Sequence, residues 1–186
     1  MRGKLIVFSG PSGVGKGSIR EKLKFSDYEF SVSSTTRLSR NGEVDGREYN
    51  FISKEEFETK IKNGEMLEYA EFCDNYYGTE VSVVEALLDQ GKNVMLEIEC
   101  QGAMQVLAKM NDVISIFILP PSIEELKKRL VGRGTENMET IEKRLAKARD
   151  EILLKDHYQY NVVNDQIEDV VDKIDSIFEK EFNVQN

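Results

Sequence analysis

The run Gly10-Pro-Ser-Gly-Val-Gly15-Lys16, set directly after the apolar stretch Leu5–Phe8, constrains this chain more than any other segment. Closely spaced glycines let a backbone curl until its N–H groups converge on one point, and Lys16 then brings an ammonium beside them. A strand, such a loop and a helix in that order cradle the phosphates of a nucleotide such as ATP, with the lysine on the β- and γ-phosphates. A glycine-rich turn without a ligand is the alternative, but Lys16 would serve no packing purpose in it. In such loops a hydroxyl usually follows the lysine. Here Gly17 holds that place and Ser18 comes one residue later, which makes Ser18 the candidate ligand for a magnesium ion.

Short β-rich runs recur at Val94–Ile98, Val113–Leu119 and Tyr160–Val163, each separated from the next by helical periodicity. This βαβα rhythm predicts an α/β fold: a largely parallel sheet with helices on both faces and ligands at the carboxyl ends of the strands. Ile167, Val170, Val171, Ile174, Ile177 and Phe178 repeat at three- and four-residue steps and predict a final helix covering the sheet. Ser53-Lys-Glu-Glu56 and Ser122-Ile-Glu-Glu125 match the capping box that opens a helix. Between Ser31 and Thr79 the pattern changes. Tyr49–Ile52 and Met66–Phe72 read as short strands around one helix, with turns at Asn41-Gly42 and Asp45-Gly46, which predicts an inserted subdomain. A second insertion is expected between Leu126 and Leu153, where two basic helices flank Gly132-Arg133-Gly134.

Composition narrows the function classes. The formal net charge of −9 argues against a nucleic-acid surface, which needs clustered Lys and Arg to displace counterions. No apolar run approaches the roughly 20 residues that span a bilayer, and no export signal follows the basic start, so no membrane partner is expected. The two cysteines, Cys73 and Cys100, lack disulfide-type spacing and point to reduced thiols in the cytoplasm. With 186 residues the chain fits one domain.

Taken with the loop, the segments Val32-Ser-Ser-Thr-Thr-Arg37, Gly42-Glu-Val-Asp-Gly46, Tyr49-Asn-Phe51, Asn75-Tyr-Tyr-Gly78, Gln101-Gly102 and Gly132-Arg-Gly-Thr135 resemble the guanylate kinases over essentially the whole length. Gly17-Ser18 resembles a variant common in bacterial members. The resemblance implies a phosphate-loop NTPase-type core over 1–30, 83–122 and 154–186, a GMP-binding insertion over 31–82 and a lid over 123–153. It implies transfer of the γ-phosphate of ATP to GMP with magnesium, in purine nucleotide metabolism, by a monomer or small homo-oligomer. Whether dGMP also reacts stays open.

The same resemblance assigns Arg37, Arg40, Tyr49 and Tyr77 to the GMP phosphate, with Glu43 at a matching position. Arginines and tyrosine hydroxyls supply the donors a phosphate dianion needs. Glu68 falls where the family accepts from guanine N1–H and the 2-amino group, and Ser33 and Thr79 match the hydroxyls that satisfy O6. Glu97 and Glu99 alternate along one strand, so both are expected to reach the site. Water around magnesium, a lid arginine and the guanine itself are all open to them. Glu99 stands where family members usually carry an aspartate. On the ATP side stand Gly10, Pro11, Ser12, Gly13, Val14, Gly15, Lys16, Gly17 and Ser18. Arg129, Arg133 and Arg144 are lid candidates, and Asn164 is either an adenine contact or a plain turn residue. Lys127, Lys128, Lys143 and Lys147 read as a solvated basic face. An acceptor that is itself a phosphate needs no general base, which suits a chain with one histidine, His157. Two rivals remain: a kinase for another nucleoside monophosphate, against which Glu68, Ser33 and Thr79 speak, and a non-catalytic interaction module, against which Lys16 and the lid arginines speak.

Overall fold

A computed structural model describes residues 1–72, 74–132 and 137–182. Five strands lie side by side in the order β2-β7-β1-β8-β9: Glu29–Phe30, Val94–Glu97, Leu5–Ser9, Val113–Leu119 and Tyr160–Val163. β2 runs parallel to β7, and β8 to β9. Every residue of β1 is buried, as an unbroken Leu-Ile-Val-Phe run predicts for a strand covered on both faces. The expected parallel sheet is therefore present, with β2 added at one edge. β2 escapes pattern reading because two exposed residues carry no periodicity.

The chain divides into two compact units. The first comprises Met1–Ile6, Asp27–Leu96 and Gln101–Val113. It holds a four-stranded sheet in the order β4-β3-β6-β5, made of Asn50–Phe51, Ser34–Thr35, Asn75–Glu80 and Met66–Phe72. Helix α2 (Lys54–Lys62) starts at Ser53, whose hydroxyl accepts from the Glu56 N–H as the capping box requires. Its acids sit in the first turn and its lysines in the last, matching the helix dipole. Phe57 is its buried anchor and stacks on Tyr76, ring centroids 5.2 Å apart. Helices α3 (Val81–Asp89) and α4 (Cys100–Lys109) also belong to this unit, α4 from Gln101.

The second unit comprises Val7–Ser26, Glu97–Cys100 and Ile114–Asn186. Helix α1 (Lys16–Arg20) has only five residues, so the helix opened by the loop is short and adds little dipole of its own. Helix α5 (Ile123–Gly132) opens at the Ser122 cap, and α6 (Met138–Ile152) opens where Asn137 accepts from the Thr140 N–H. Leu126 and Leu130 of α5 pack with Ile141, Leu145 and Ala148 of α6. After a 3-10 turn at Leu153–His157 the chain enters β9 and then α7 (Ile167–Glu181). Val170, Val171, Ile174 and Phe178 of α7 are buried, while Ile167 and Ile177 lie at the margin of that stripe.

Candidate active site

The phosphate loop joins β1 to α1 within the second unit. Gly10, Gly13 and Gly15 all take positive φ, at 149°, 89° and 99°. Gly10 has a second reason to lack a side chain: a Cβ there would lie 2.4 Å from the backbone oxygen of Ile118. Pro11 and Val14 are buried and anchor the loop from below. Ser12, Gly13, Gly15, Lys16, Gly17, Ser18, Glu97 and Glu99 line one cleft.

Lys16 curls back so that its Nζ donates to the Gly10 carbonyl at 2.7 Å. Burial lowers its pKa, and the nearby thiol of Cys100 and carboxylates of Glu97, Glu99 and Glu151 oppose that shift. A desolvated cation beside convergent N–H groups is a strong receptor for a phosphate anion. From α6, Arg144 reaches the loop and donates to the Ser12 hydroxyl at 2.6 Å. Asn164 is buried just beyond β9; its amide donates to the Val14 carbonyl at 2.7 Å, which braces the loop, and its own carbonyl accepts from Arg129 at 2.9 Å. Asn164 is thus tied into the phosphate loop from the far end of the chain. Arg133 lies outside the described residues.

Glu97 and Glu99 both reach the cleft, as their alternation requires, although β7 ends at Glu97. They differ in their partners. Glu97 accepts from Arg20 at 2.9 Å, whereas Glu99, mostly exposed, accepts from Lys147 of α6 at 2.7 Å. Lys147 is exposed, as expected for the basic face, and also lies 3.6 Å from Glu151. Glu151 is a buried acid that sequence reading missed, and burial raises its pKa. The signal was present: Glu151 continues the buried stripe Ile141, Leu145, Ala148. His157 is exposed. Cys100 is a free buried thiol, and Cys73 lies outside the described residues.

The first unit carries the remaining candidate site residues. Arg37 makes a bidentate ion pair with Glu43, its two terminal nitrogens 2.7 and 2.8 Å from the carboxylate oxygens. The Arg40 N–H adds a third bond to Glu43 at 2.7 Å. Those donors, the Arg37 guanidinium first, pull the Glu43 carboxyl down to about 2. The Arg37 guanidinium sits over the Tyr49 ring, 5.3 Å from its centroid, and Tyr49 meets Tyr77 edge-on at 6.0 Å. Of the four residues assigned to the acceptor phosphate, Arg37, Tyr49 and Tyr77 are gathered by their side chains, with Glu43 held on Arg37. Arg40 joins through its backbone, its side chain being exposed.

Glu68 of β5 pairs with Thr79 of β6, and the Thr79 hydroxyl donates to one Glu68 oxygen at 2.7 Å. Only 6% of Glu68 is exposed, so burial raises its pKa, partly offset by the bonds from Thr79 and by the charge of Lys109. A buried carboxylate with one oxygen free of the Thr79 hydroxyl can accept from adjacent N–H donors such as those of a purine. Ser33 is half-buried at the entry to β3; its neighbour Ser34 is fully buried and donates to Glu80 at 2.8 Å. Glu80 also accepts from Lys60 at 2.9 Å, a polar chain that the sequence did not announce because each residue looks like an ordinary surface group.

A guanylate kinase family model matches residues 2–181. A guanylate kinase of Lactococcus lactis is 54% identical over 182 residues, spanning 97% of this chain and 89% of its own length. One from Lactiplantibacillus plantarum is 52% identical over 183 residues, with 97% and 89% covered. Among solved structures, guanylate kinase from Anaplasma phagocytophilum matches with a TM-score of 0.70 and 37% identity, covering 97% of this chain and 86% of that one.

Proposed function

The chain belongs to the guanylate kinase family, and we propose that it transfers the γ-phosphate of ATP to GMP with the residues gathered in the two units. The observation that carries the choice of GMP is the buried Glu68 carboxylate bonded to Thr79. It faces the N1–H and 2-amino donors of guanine, and Ser33 and Thr79 serve O6. Arg37, Arg40, Tyr49 and Tyr77 hold the acceptor phosphate. Because Glu43 already occupies Arg37, the incoming dianion must share or displace that ion pair. Segments 31–82 bind GMP, 123–153 act as lid, and the remainder forms the core.

On the donor side the loop from Gly10 to Ser18 wraps the triphosphate and Lys16 neutralises its β- and γ-oxygens. Arg144, and Arg133 with it, meet the charge that spreads over the equatorial oxygens as the phosphoryl group moves; Arg129 and Asn164 act behind them by holding the loop. Electrostatic stabilisation and alignment are then the whole of the catalysis. The acceptor phosphate has a second pKa of about 6 and arrives largely deprotonated, so no general base is needed. Ser18 and Glu97 are hard oxygen donors on the same cleft and fit magnesium, which commonly takes one or two protein ligands and fills its shell with water and phosphate. When bound, the ion would neutralise the β- and γ-phosphates.

No described helix is long and apolar enough to cross a membrane; we place the reaction in the cytoplasm, with the protein a monomer or small homo-oligomer. Following ADP release from ATP with GMP, dGMP, AMP, UMP and dTMP tests the assignment. GMP should exceed AMP by about 10⁴-fold in kcat/KM. Fastest turnover with AMP would overturn the role of Glu68, and none with any acceptor would favour a non-catalytic module.

A further inference from the structure

Three side-chain positions on one face of α4 converge on the strand that carries Glu68. Gly102, Gln105 and Lys109 are three and four residues apart, which puts them in a row along the helix. Gln105 brackets the residue after Glu68: its carbonyl accepts from the Tyr69 N–H at 3.2 Å and its amide donates to the Tyr69 carbonyl at 2.8 Å. Lys109 brackets the residues before it, with Nζ donating to the Met66 carbonyl at 2.7 Å and the Leu67 carbonyl at 2.9 Å. Gly102 faces the carboxylate itself, since a Cβ there would lie 2.5 Å from the Glu68 oxygen that Thr79 does not bond.

The strand needs this support. Met66 pairs with Glu80 and Glu68 with Thr79, so Leu67 is an extra residue and the ladder breaks at that point. Such a bulge re-aims the side chains on either side of it and leaves backbone groups without a strand partner. Here the carbonyls at the break are the two that Lys109 takes up. The ammonium also adds positive potential next to a carboxylate that burial would otherwise neutralise.

We propose that Lys109 is a positioning residue for guanine selectivity, holding the bulge that aims Glu68 while Gly102 leaves room for the carboxylate. The proposal rests on Glu68 being the guanine acceptor. A lysine that merely pinned helix to strand would support all acceptors equally, whereas one that aims Glu68 should matter most for the group Glu68 reads. IMP lacks the 2-amino donor and supplies the contrast.

The test compares Lys109→Met, Lys109→Arg, Gly102→Ala and Glu68→Gln in KM for GMP and ATP, kcat, thermal midpoint and the GMP-to-IMP ratio of kcat/KM. Lys109→Met and Gly102→Ala should each raise KM for GMP by about tenfold to a hundredfold, as expected when a binding group is displaced by about an ångström. The GMP-to-IMP ratio should fall with it, KM for ATP should stay within about twofold, and Lys109→Arg should recover most of the loss. Gly102→Ala acts on the carboxylate directly and reports only on the room it needs; if Lys109→Met does not fold, Lys109→Gln, a neutral and shorter side chain that cannot reach both carbonyls, takes its place. Should Glu68→Gln collapse the ratio while Lys109→Met or, failing that, Lys109→Gln leaves it intact, the positioning role is wrong and the role of Glu68 stands. Should Glu68→Gln itself preserve the ratio, the guanine assignment fails and takes this inference with it.

Discussion

Replacing Lys16 by methionine should lower kcat by about 10³-fold or more while leaving KM for GMP nearly unchanged. The physical reason is where the charge is held: Arg144 meets the loop at Ser12, whereas Lys16 keeps its ammonium inside the curl, at the Gly10 carbonyl. Lys16 is largely desolvated and its Nζ donates to the loop's own Gly10 carbonyl, so its ammonium is oriented before any nucleotide arrives. Methionine keeps the length and apolar contact of the stem and removes the charge. Because burying that cation costs stability, the thermal midpoint of the variant should hold or rise. Steady-state kinetics beside a thermal melt check both halves. A turnover within tenfold of the parent would mean that the loop does not bind the transferred phosphate as described.

The second large effect is expected at Glu68. Glutamine has the same shape, but it replaces one accepting oxygen by a donor that faces the donors of guanine, and kcat/KM for GMP should fall by about 10³-fold. Stability should move the other way. Burial raises the Glu68 carboxyl above its ordinary range, so the folded protein loses stability as pH rises and the group ionises. A neutral glutamine escapes that cost near neutral pH, and the melting temperature should be equal or higher. A variant that melted earlier and lost activity on GMP, IMP and AMP alike would show Glu68 to be a structural strand residue.

The parts of this protein that were legible in its sequence are those where one local rule decides. Leu5–Ser9 is apolar throughout because both faces are covered, and the Ser53 and Ser122 caps announce α2 and α5. The phosphate loop is equally local, since three glycines and a lysine cannot be exchanged for anything else there. Other features depend on contacts distant in sequence. β6 reads Asn-Tyr-Tyr-Gly-Thr-Glu, which has neither strand alternation nor apolar weight, and it becomes a strand because β3 and β5 flank it. Lys147 and Lys109 are surface lysines whose targets, Glu99 and the bulged carbonyls of β5, no local pattern announces. Asn164 follows the same logic, as nothing around it in sequence reveals that its amide braces a loop 150 residues earlier.

The most direct test of the central claim is a crystal structure of the protein with GMP and a non-hydrolysable ATP analogue. The account predicts a triphosphate wrapped by Gly10 to Ser18 with Lys16 Nζ on the β- and γ-oxygens, and a guanine whose N1–H and 2-amino groups donate to Glu68. A guanine bound away from Glu68, or a triphosphate that bypasses Lys16, would contradict it.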